Sequence, residues 1–112
     1  MSIEQYQRTV NNLDREIATL EQKKTSFDKK AADQEKKAAG VSISRNASAS
    51  TINSKKRQIE RYNKESNKAK EQSANLMKKI ADKRKKRNDA YSKLQKEQHL
   101  EIKRQNNLIV NM

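Results

Sequence analysis

Apolar and aromatic residues recur in the first 38 residues at alternating spacings of three and four. Nine of the eleven positions in this series are apolar or aromatic, and almost everything between them is polar. A disordered chain has no reason to keep such a heptad pattern, which is typical of a helix that packs one face against another helix. The pattern predicts a helix over residues 3–38. The positions are Ile3, Tyr6, Val10, Leu13, Ile17, Leu20, Lys24, Phe27, Ala31, Gln34 and Ala38.

A second heptad series starts at Ile52 and has more small and polar members. It predicts a helix over residues 51–104, started by Ser50, whose hydroxyl can cap free backbone N–H groups. Residues 105–112 are expected to form a loosely held tail. The second series is Ile52, Lys55, Ile59, Tyr62, Ser66, Ala69, Ser73, Leu76, Ile80, Lys83, Arg87, Ala90, Leu94 and Glu97. Together the two series predict a coiled-coil seam made of Ile3, Tyr6, Val10, Leu13, Ile17, Leu20, Phe27, Ile59, Tyr62, Ala69, Leu76, Ile80 and Leu94.

Between the two series lies GVSISRNASAST, residues 40–51, with the only glycine of the chain. Serine and threonine can bond to backbone groups at a break, and glycine can take the left-handed conformation that ends many helices. We expect a turn over residues 39–50 with Gly40 in that conformation. A purely structural turn is the favoured interpretation, and a tip that contacts a partner is the alternative. The predicted turn residues are Gly40, Ser42, Ser44, Ser48, Ser50 and Thr51.

The two helices are predicted to fold back on each other as an antiparallel coiled-coil hairpin, an all-α fold in a single module of residues 1–112. A turn centred near Ser44 would pair residues whose numbers add up to about 89, which brings Leu13 to Leu76 and Val10 to Ile80. These aliphatic pairs favour the hairpin. The alternative is that each helix pairs with another chain.

Composition limits what one hairpin can do by itself. Only 31% of the residues are hydrophobic and 4% are aromatic, which is too little for an ordinary globular core. At about 25 cal/mol per Å² of buried apolar surface, a seam with Ser, Lys and Gln layers barely offsets chain entropy. We therefore expect hairpins to assemble through the seam into a dimer or higher oligomer. The longer second helix is expected to extend past the start of the first, so a second copy or another protein would also have to cover five of its residues, namely Ala90, Tyr91, Leu94, Leu100 and Ile102.

Positive charge is concentrated in the second part of the chain. The net charge is +13, and residues 39–112, with 19 basic and seven acidic side chains, contribute +12 of it. A basic helix can bind nucleic acid or another polyanion through phosphate contacts. The four aromatic residues are too scattered for a stacking platform, so a solvated face or one that docks an acidic protein is favoured. The basic patch is Lys78, Lys79, Lys83, Arg84, Lys85, Lys86 and Arg87.

The sequence offers no candidate for catalysis, cofactor binding or metal binding. It has no cysteine, and His99 is its only histidine, so neither thiolate zinc sites nor histidine clusters can form. We expect a non-enzymatic protein with no cofactor. No signal peptide or membrane span is evident, so a cytoplasmic location without membrane contact is the default expectation.

The break and the start of the second helix resemble the coiled-coil region that precedes the Toll/interleukin-1 receptor (TIR) domain in many bacterial TIR proteins. In that family a Ser/Thr-rich break of the form S-I-x-K/R-x-x-S-x-S-T leads into a basic helix with the pattern S-K-x-x-x-I. The resemblance covers residues 40–98, and Ala49 stands where many relatives have proline. The matching residues are Ser42, Ile43, Arg45, Ser48, Ser50, Thr51, Ser54, Lys55 and Ile59.

The resemblance implies a module that self-associates and assembles or regulates an effector in anti-phage defence. No TIR domain follows within the 112 residues, so the NAD-cleaving activity of the family is not carried over, and the expected partners are a second copy and a TIR or other effector protein. One alternative is sequence-nonspecific binding of nucleic acid or another polyanion through the basic second helix. A third and weaker alternative is a helical targeting chaperone of a secreted toxin.

Overall fold

The computed structural model describes residues 2–111, which form two helices joined by a short connection. Helix α1 spans Ile3–Ala39 and helix α2 spans Ala49–Val110. No strand occurs in this part of the chain. The two helices pack against each other in opposite directions, so the predicted all-α antiparallel hairpin is confirmed. Its assembly into oligomers stays a prediction.

The chain divides into two compact units, and each contains a segment of both helices. One unit, called here the terminal unit, holds the described residues up to Leu20 and from Lys79 onward. The other, the connection unit, spans Glu21–Lys78. Buried apolar residues of the terminal unit are Val10, Ile17, Ile80, Ala90 and Leu94. Those of the connection unit are Ala31, Ala69 and Leu76, beside the buried Ser66 and Ser73.

Helix α1 starts with a reciprocal cap. The Gln5 N–H donates to the Ser2 hydroxyl oxygen at 3.2 Å, and the Ser2 N–H donates to the Gln5 side-chain oxygen at 2.9 Å. These bonds satisfy two backbone donors that would otherwise lack partners at the end of the helix.

The far end of α1 differs from expectation at Gly40. No residue between 2 and 111 has a positive φ, so the predicted left-handed conformation of Gly40 is wrong. The Gly40 N–H instead donates to the Lys36 carbonyl at 3.0 Å, as in a helix, and the Val41 N–H donates to the Ala38 carbonyl at 3.3 Å. The helix therefore ends by tightening its last turn, which requires no glycine.

Helix α2 is capped by Ser48 and not by Ser50. The Ser48 hydroxyl accepts the Thr51 N–H at 3.2 Å, and the Ser48 carbonyl accepts the Ile52 N–H at 2.9 Å. Ser50 already lies inside the first turn. The backbone N–H three residues after a cap is the usual target of its hydroxyl, so the choice of serine moves the start of the helix to Ala49.

The connection is not a tight turn, and this shifts the register predicted from the sequence. In the connection unit, Glu35 contacts Ser66 and Asp28 contacts Ser73, so the numbers of facing residues add up to 101 and not to 89. In the terminal unit the sums are 101 for Asp14 with Arg87 and 99 for Glu16 with Lys83. The predicted pairs Leu13 with Leu76 and Val10 with Ile80 are therefore wrong. The expectation that Ala90 and Leu94 extend past the start of α1 is wrong for the same reason, since both are buried in the terminal unit.

The shift has a simple cause in the path of the connection. Residues 40–42 run beside Lys55, Gln58 and Tyr62, and the Lys55 ammonium donates to the Ser42 carbonyl. The helical stretch 49–62 is about 20 Å long at 1.5 Å per residue, and six extended residues cover the same distance. The chain therefore overruns the end of α1, doubles back at residues 44–47, and begins α2 there.

At its other end α2 continues to Val110, six residues beyond the predicted end. Residues 105–110 of the predicted loose tail are helical, since neither proline nor glycine interrupts them. Their side chains are exposed, with Leu108 at 66% and Val110 at 82%. Met112 lies outside the described residues. No helix within residues 2–111 is long and apolar enough to cross a bilayer.

Candidate interaction surface

The thirteen predicted seam residues are all buried or half-buried. In α1 their burial alternates along the heptad. Val10 and Ile17 are buried, as is Ala31 of the same heptad series, and the residues at the alternate positions are only half-buried, namely Tyr6, Leu13, Leu20 and Phe27. One set of α1 side chains therefore fills the seam, and the other lies along its edge with part of its apolar surface open to solvent.

The opposite edge of the seam carries acids, a feature that our sequence analysis missed. Asp14, Glu21, Asp28 and Glu35 follow one another at intervals of seven residues, each four residues after an inward-facing position of α1. This spacing places all four on one edge of the helix, directly beside the seam. A search for charges at a fixed heptad position would have found the pattern.

In the terminal unit, one acid on each edge of the seam forms an ion pair across the hairpin. The Asp14 carboxylate accepts from the Arg87 guanidinium at 3.0 Å, and this guanidinium also lies 4.8 Å from the centre of the Tyr91 ring. On the other edge Glu16 pairs with Lys83 at 2.9 Å. Both basic residues belong to the heptad series of α2, so at two polar positions of that series the charge forms an ion pair with an acid of α1.

In the connection unit the acids satisfy two buried serines. The Ser66 hydroxyl donates to Glu35 at 3.3 Å, and the Ser73 hydroxyl donates to Asp28. Bonds from the Lys24 ammonium and Ser73 lower the pKa of Asp28 below its ordinary value, and a bond from Lys70 does the same for the pKa of Glu35. Polar layers of the seam are thus hydrogen-bonded across the hairpin.

A groove of about 460 Å³ runs along the half-buried edge of the terminal unit. Tyr6, Thr9 and Leu13 line its α1 side, and Lys86, Asp89, Ala90 and Lys93 line its α2 side. Arg15, Thr19 and Leu20 border a second, shallower depression on the same unit. We call Tyr6, Leu13 and Leu20 the apolar stripe, since they repeat every seven residues along this edge.

The predicted basic patch is only partly available to a partner. Lys83 and Arg87 are engaged in the ion pairs with α1, and Arg84 also interacts within the chain. The remaining patch residues are exposed, namely Lys78, Lys79, Lys85 and Lys86. The predicted turn residues are exposed as well, so the tip that they form is open to solvent.

The described residues offer no arrangement that would hold a metal ion. No group of three or more His, Asp or Glu side chains within residues 2–111 is suitably placed, and His99 is exposed on α2. We identify no nucleophile paired with a general base along either helix. The features left to consider as a candidate site are the groove, the apolar stripe and the exposed charges.

Comparisons of the chain with family models, with curated proteins and with solved structures gave no match. The resemblance to the TIR-associated coiled coil therefore stays a hypothesis, and the apolar stripe, the groove and the charges beside them are the main guide to function.

Proposed function

We propose that this protein is a non-catalytic coiled-coil module that assembles with copies of itself and, through assembly, positions or regulates an effector. The observation that supports the proposal best is the apolar stripe beside the groove of the terminal unit. The hairpin by itself buries these large apolar residues only in part, and a partner that covered the rest of their surface would add the free energy of that burial.

Self-association is the part of the proposal that can be tested on the chain alone. The monomer has a mass of 13.0 kDa. In sedimentation equilibrium at protein concentrations from about 1 to 300 μM, we expect the average mass to rise to that of a dimer or a larger assembly, since interfaces of modest area are commonly half-formed in this range. A helical protein that remained at 13.0 kDa throughout would refute self-assembly.

The effector role rests on the resemblance to TIR-associated coiled coils in bacterial defence proteins. It predicts that the chain forms a stable complex with a TIR or other effector protein encoded close to it. Co-expression of the two, followed by purification through a tag on this chain, should recover the effector in a fixed ratio. A variant that cannot self-associate serves as the control, since the proposal requires effector activity to depend on assembly.

Binding of nucleic acid or another polyanion is the second candidate, favoured by the four exposed lysines of the basic patch. Such binding would be blind to base sequence and would fade between about 50 and 200 mM salt, because it rests on counterion release. Fluorescence titration against unrelated duplexes and single strands measures it. Tight binding at physiological salt with clear sequence preference would place this function first.

A further inference from the structure

We propose that a second copy of the chain covers the groove of the terminal unit by a two-fold rotation perpendicular to the helices, with α1 beside α1 and α2 beside α2 in antiparallel pairs. This inference rests on the proposed self-assembly and adds the surface, the partner and the orientation. Two independent patterns support it, one of charge on α2 and one of apolar residues on α1.

The charge pattern is a row of four exposed residues on the groove side of α2. Asp82, Lys86, Asp89 and Lys93 follow one another at spacings of four, three and four, which keeps them on one side of the helix. Their signs alternate, and three of the four line the groove. None has an ion pair or side-chain hydrogen bond with another described residue. We call this set the alternating row.

The alternating row is complementary to itself when one copy is reversed. If two rows lie side by side in antiparallel orientation, Asp82 faces Lys93 of the second copy and Lys86 faces Asp89, and the rotation repeats both pairs. A parallel arrangement would instead place like charges together. An isologous interface needs this self-complementarity, and charges arranged in this way determine orientation more strongly than they add affinity.

The apolar stripe has nearly the same centre as the alternating row. The row is centred between residues 87 and 88, and the ion pairs of Asp14 with Arg87 and of Glu16 with Lys83 place residues 12–13 of α1 near that level. Leu13 is therefore within two residues of the two-fold axis, close enough to contact Leu13 of the second copy. Tyr6 and Leu20 lie seven residues to either side of Leu13, so each faces the other across the axis.

The opposite choice, with α1 of one copy beside α2 of the other, is disfavoured by the same residues. It would place the apolar stripe against the alternating row and bury charges that have no partner. On the α1 side the groove is lined by the neutral Thr9 and Asn12, which suits a contact between two α1 helices. Arg15, which borders the neighbouring depression, lies away from the axis and therefore does not fall opposite its own copy.

The size of the contact indicates how tightly the copies associate. The stripe spans about 22 Å of helix, and two adjacent helices are about 20 Å wide. The face is therefore about 440 Å² per copy, or about 880 Å² in total, which is below the roughly 1,200 Å² of stable specific interfaces and is typical of weak, transient ones. We expect a dimer with a Kd in roughly the micromolar range, which is convenient for measuring weaker and stronger variants.

Charge reversal tests the orientation directly. One double variant, Lys86→Glu with Lys93→Glu, makes the row entirely acidic, and a second, Asp82→Lys with Asp89→Lys, makes it entirely basic. Each alone should self-associate at least tenfold more weakly than wild type in sedimentation at low salt, and an equimolar mixture should form a heterodimer tighter than either. The control, Lys85→Glu with Lys103→Glu, makes the same change in net charge as the acidic variant, away from the groove, and should behave like wild type.

The outcomes separate this inference from the function on which it rests. If wild type is monomeric at every concentration, the proposed self-assembly fails and the interface with it. If wild type associates and the two variants associate equally well, or if their mixture is no tighter than either alone, the interface is wrong and self-assembly stands. Circular dichroism of each variant shows that a loss of association is not a loss of helix.

Single cysteines provide a geometric test, since the chain has none of its own. Leu13→Cys should form a disulfide with its copy under mild oxidation. Leu20→Cys should not, because two copies of residue 20 lie about 20 Å apart along the helices, beyond the reach of roughly 7 Å between Cα atoms. A mixture of Tyr6→Cys and Leu20→Cys should cross-link. Efficient cross-linking of Leu20→Cys alone, or none by Leu13→Cys, would overturn the proposed two-fold axis.

Discussion

Replacing Leu94 by alanine measures how much the seam of the terminal unit contributes to stability. Leu94 is only 2% exposed, so nearly all of its side chain leaves water when the hairpin forms. The substitution removes three carbon groups at about 0.8 kcal/mol each, or about 2.4 kcal/mol. A seam between two helices can close partly around the gap, so the loss should stay in the lower part of the usual range of about 2–5 kcal/mol.

Leu108→Ala is the matched control, because it is the same chemical change on the same helix. Leu108 is 66% exposed, so about a third of the free energy, or about 0.8 kcal/mol, is expected to be lost. With an unfolding entropy of about 2.1 cal/mol/K per residue, the melting temperature should fall by about 10 °C for Leu94→Ala and by about 3 °C for Leu108→Ala. Thermal melts by circular dichroism at several concentrations would refute the reasoning if the two shifts were equal.

Three further predictions concern ionisation and the helix ends. The pKa values of Asp28 and Glu35 are lower in the fold than their ordinary values of 3.8 and 4.5. The unfolded chain therefore binds protons more readily than the folded one at acid pH. The stability that these carboxylates contribute above pH 4.5 is lost as the pH falls through the lowered pKa values. Melting temperatures from pH 6 to pH 2.5 should therefore drop more for wild type than for Asp28→Asn with Glu35→Gln, and parallel curves would contradict the argument. Ser48→Ala should cost about 1 kcal/mol of unfolding free energy by urea titration and Ser50→Ala much less, because only Ser48 caps α2; a larger loss at Ser50 would contradict the assignment. Gly40→Ala should change the unfolding free energy by no more than about 0.5 kcal/mol in the same assay, because the φ of Gly40 suits alanine whereas the added Cβ would lie only 3.3 Å from the Lys36 carbonyl oxygen. A loss above about 1 kcal/mol would contradict this account of the end of α1.

The heptad pattern was sufficient to predict the helices and the side chains that lie between them. Polar members of the second series, which the predicted seam left out, lie along the same line, since Ser66 and Ser73 are buried and Lys83 and Arg87 are half-buried. This works because a helix that packs along one line buries whatever residue stands at that line, polar or apolar.

The heptad repeat that predicts the helices does not determine the register between them. A heptad repeat looks the same after one helix is shifted by seven or fourteen residues. Aliphatic residues therefore still face each other when the numbers of facing residues add up to more than the predicted 89. The register is evident from the path of the connection and from individual contacts such as the ion pair of Asp14 with Arg87. The start of α2 was misplaced because Ser48 and Ser50 are equally good caps by residue type.

The connection, which overruns α1 before α2 begins, has a consequence for how such a chain can change in length. Seam contacts, and not the connection, determine which residues face each other, so insertions and deletions within residues 40–48 would be absorbed where the chain doubles back. Deleting one residue from α1 would instead rotate all later residues by about 100° and move Asp28 and Glu35 away from their serines. Among related sequences, length differences should therefore gather in the connection. Length differences within α1 should be multiples of seven residues and should be accompanied by equal differences in α2.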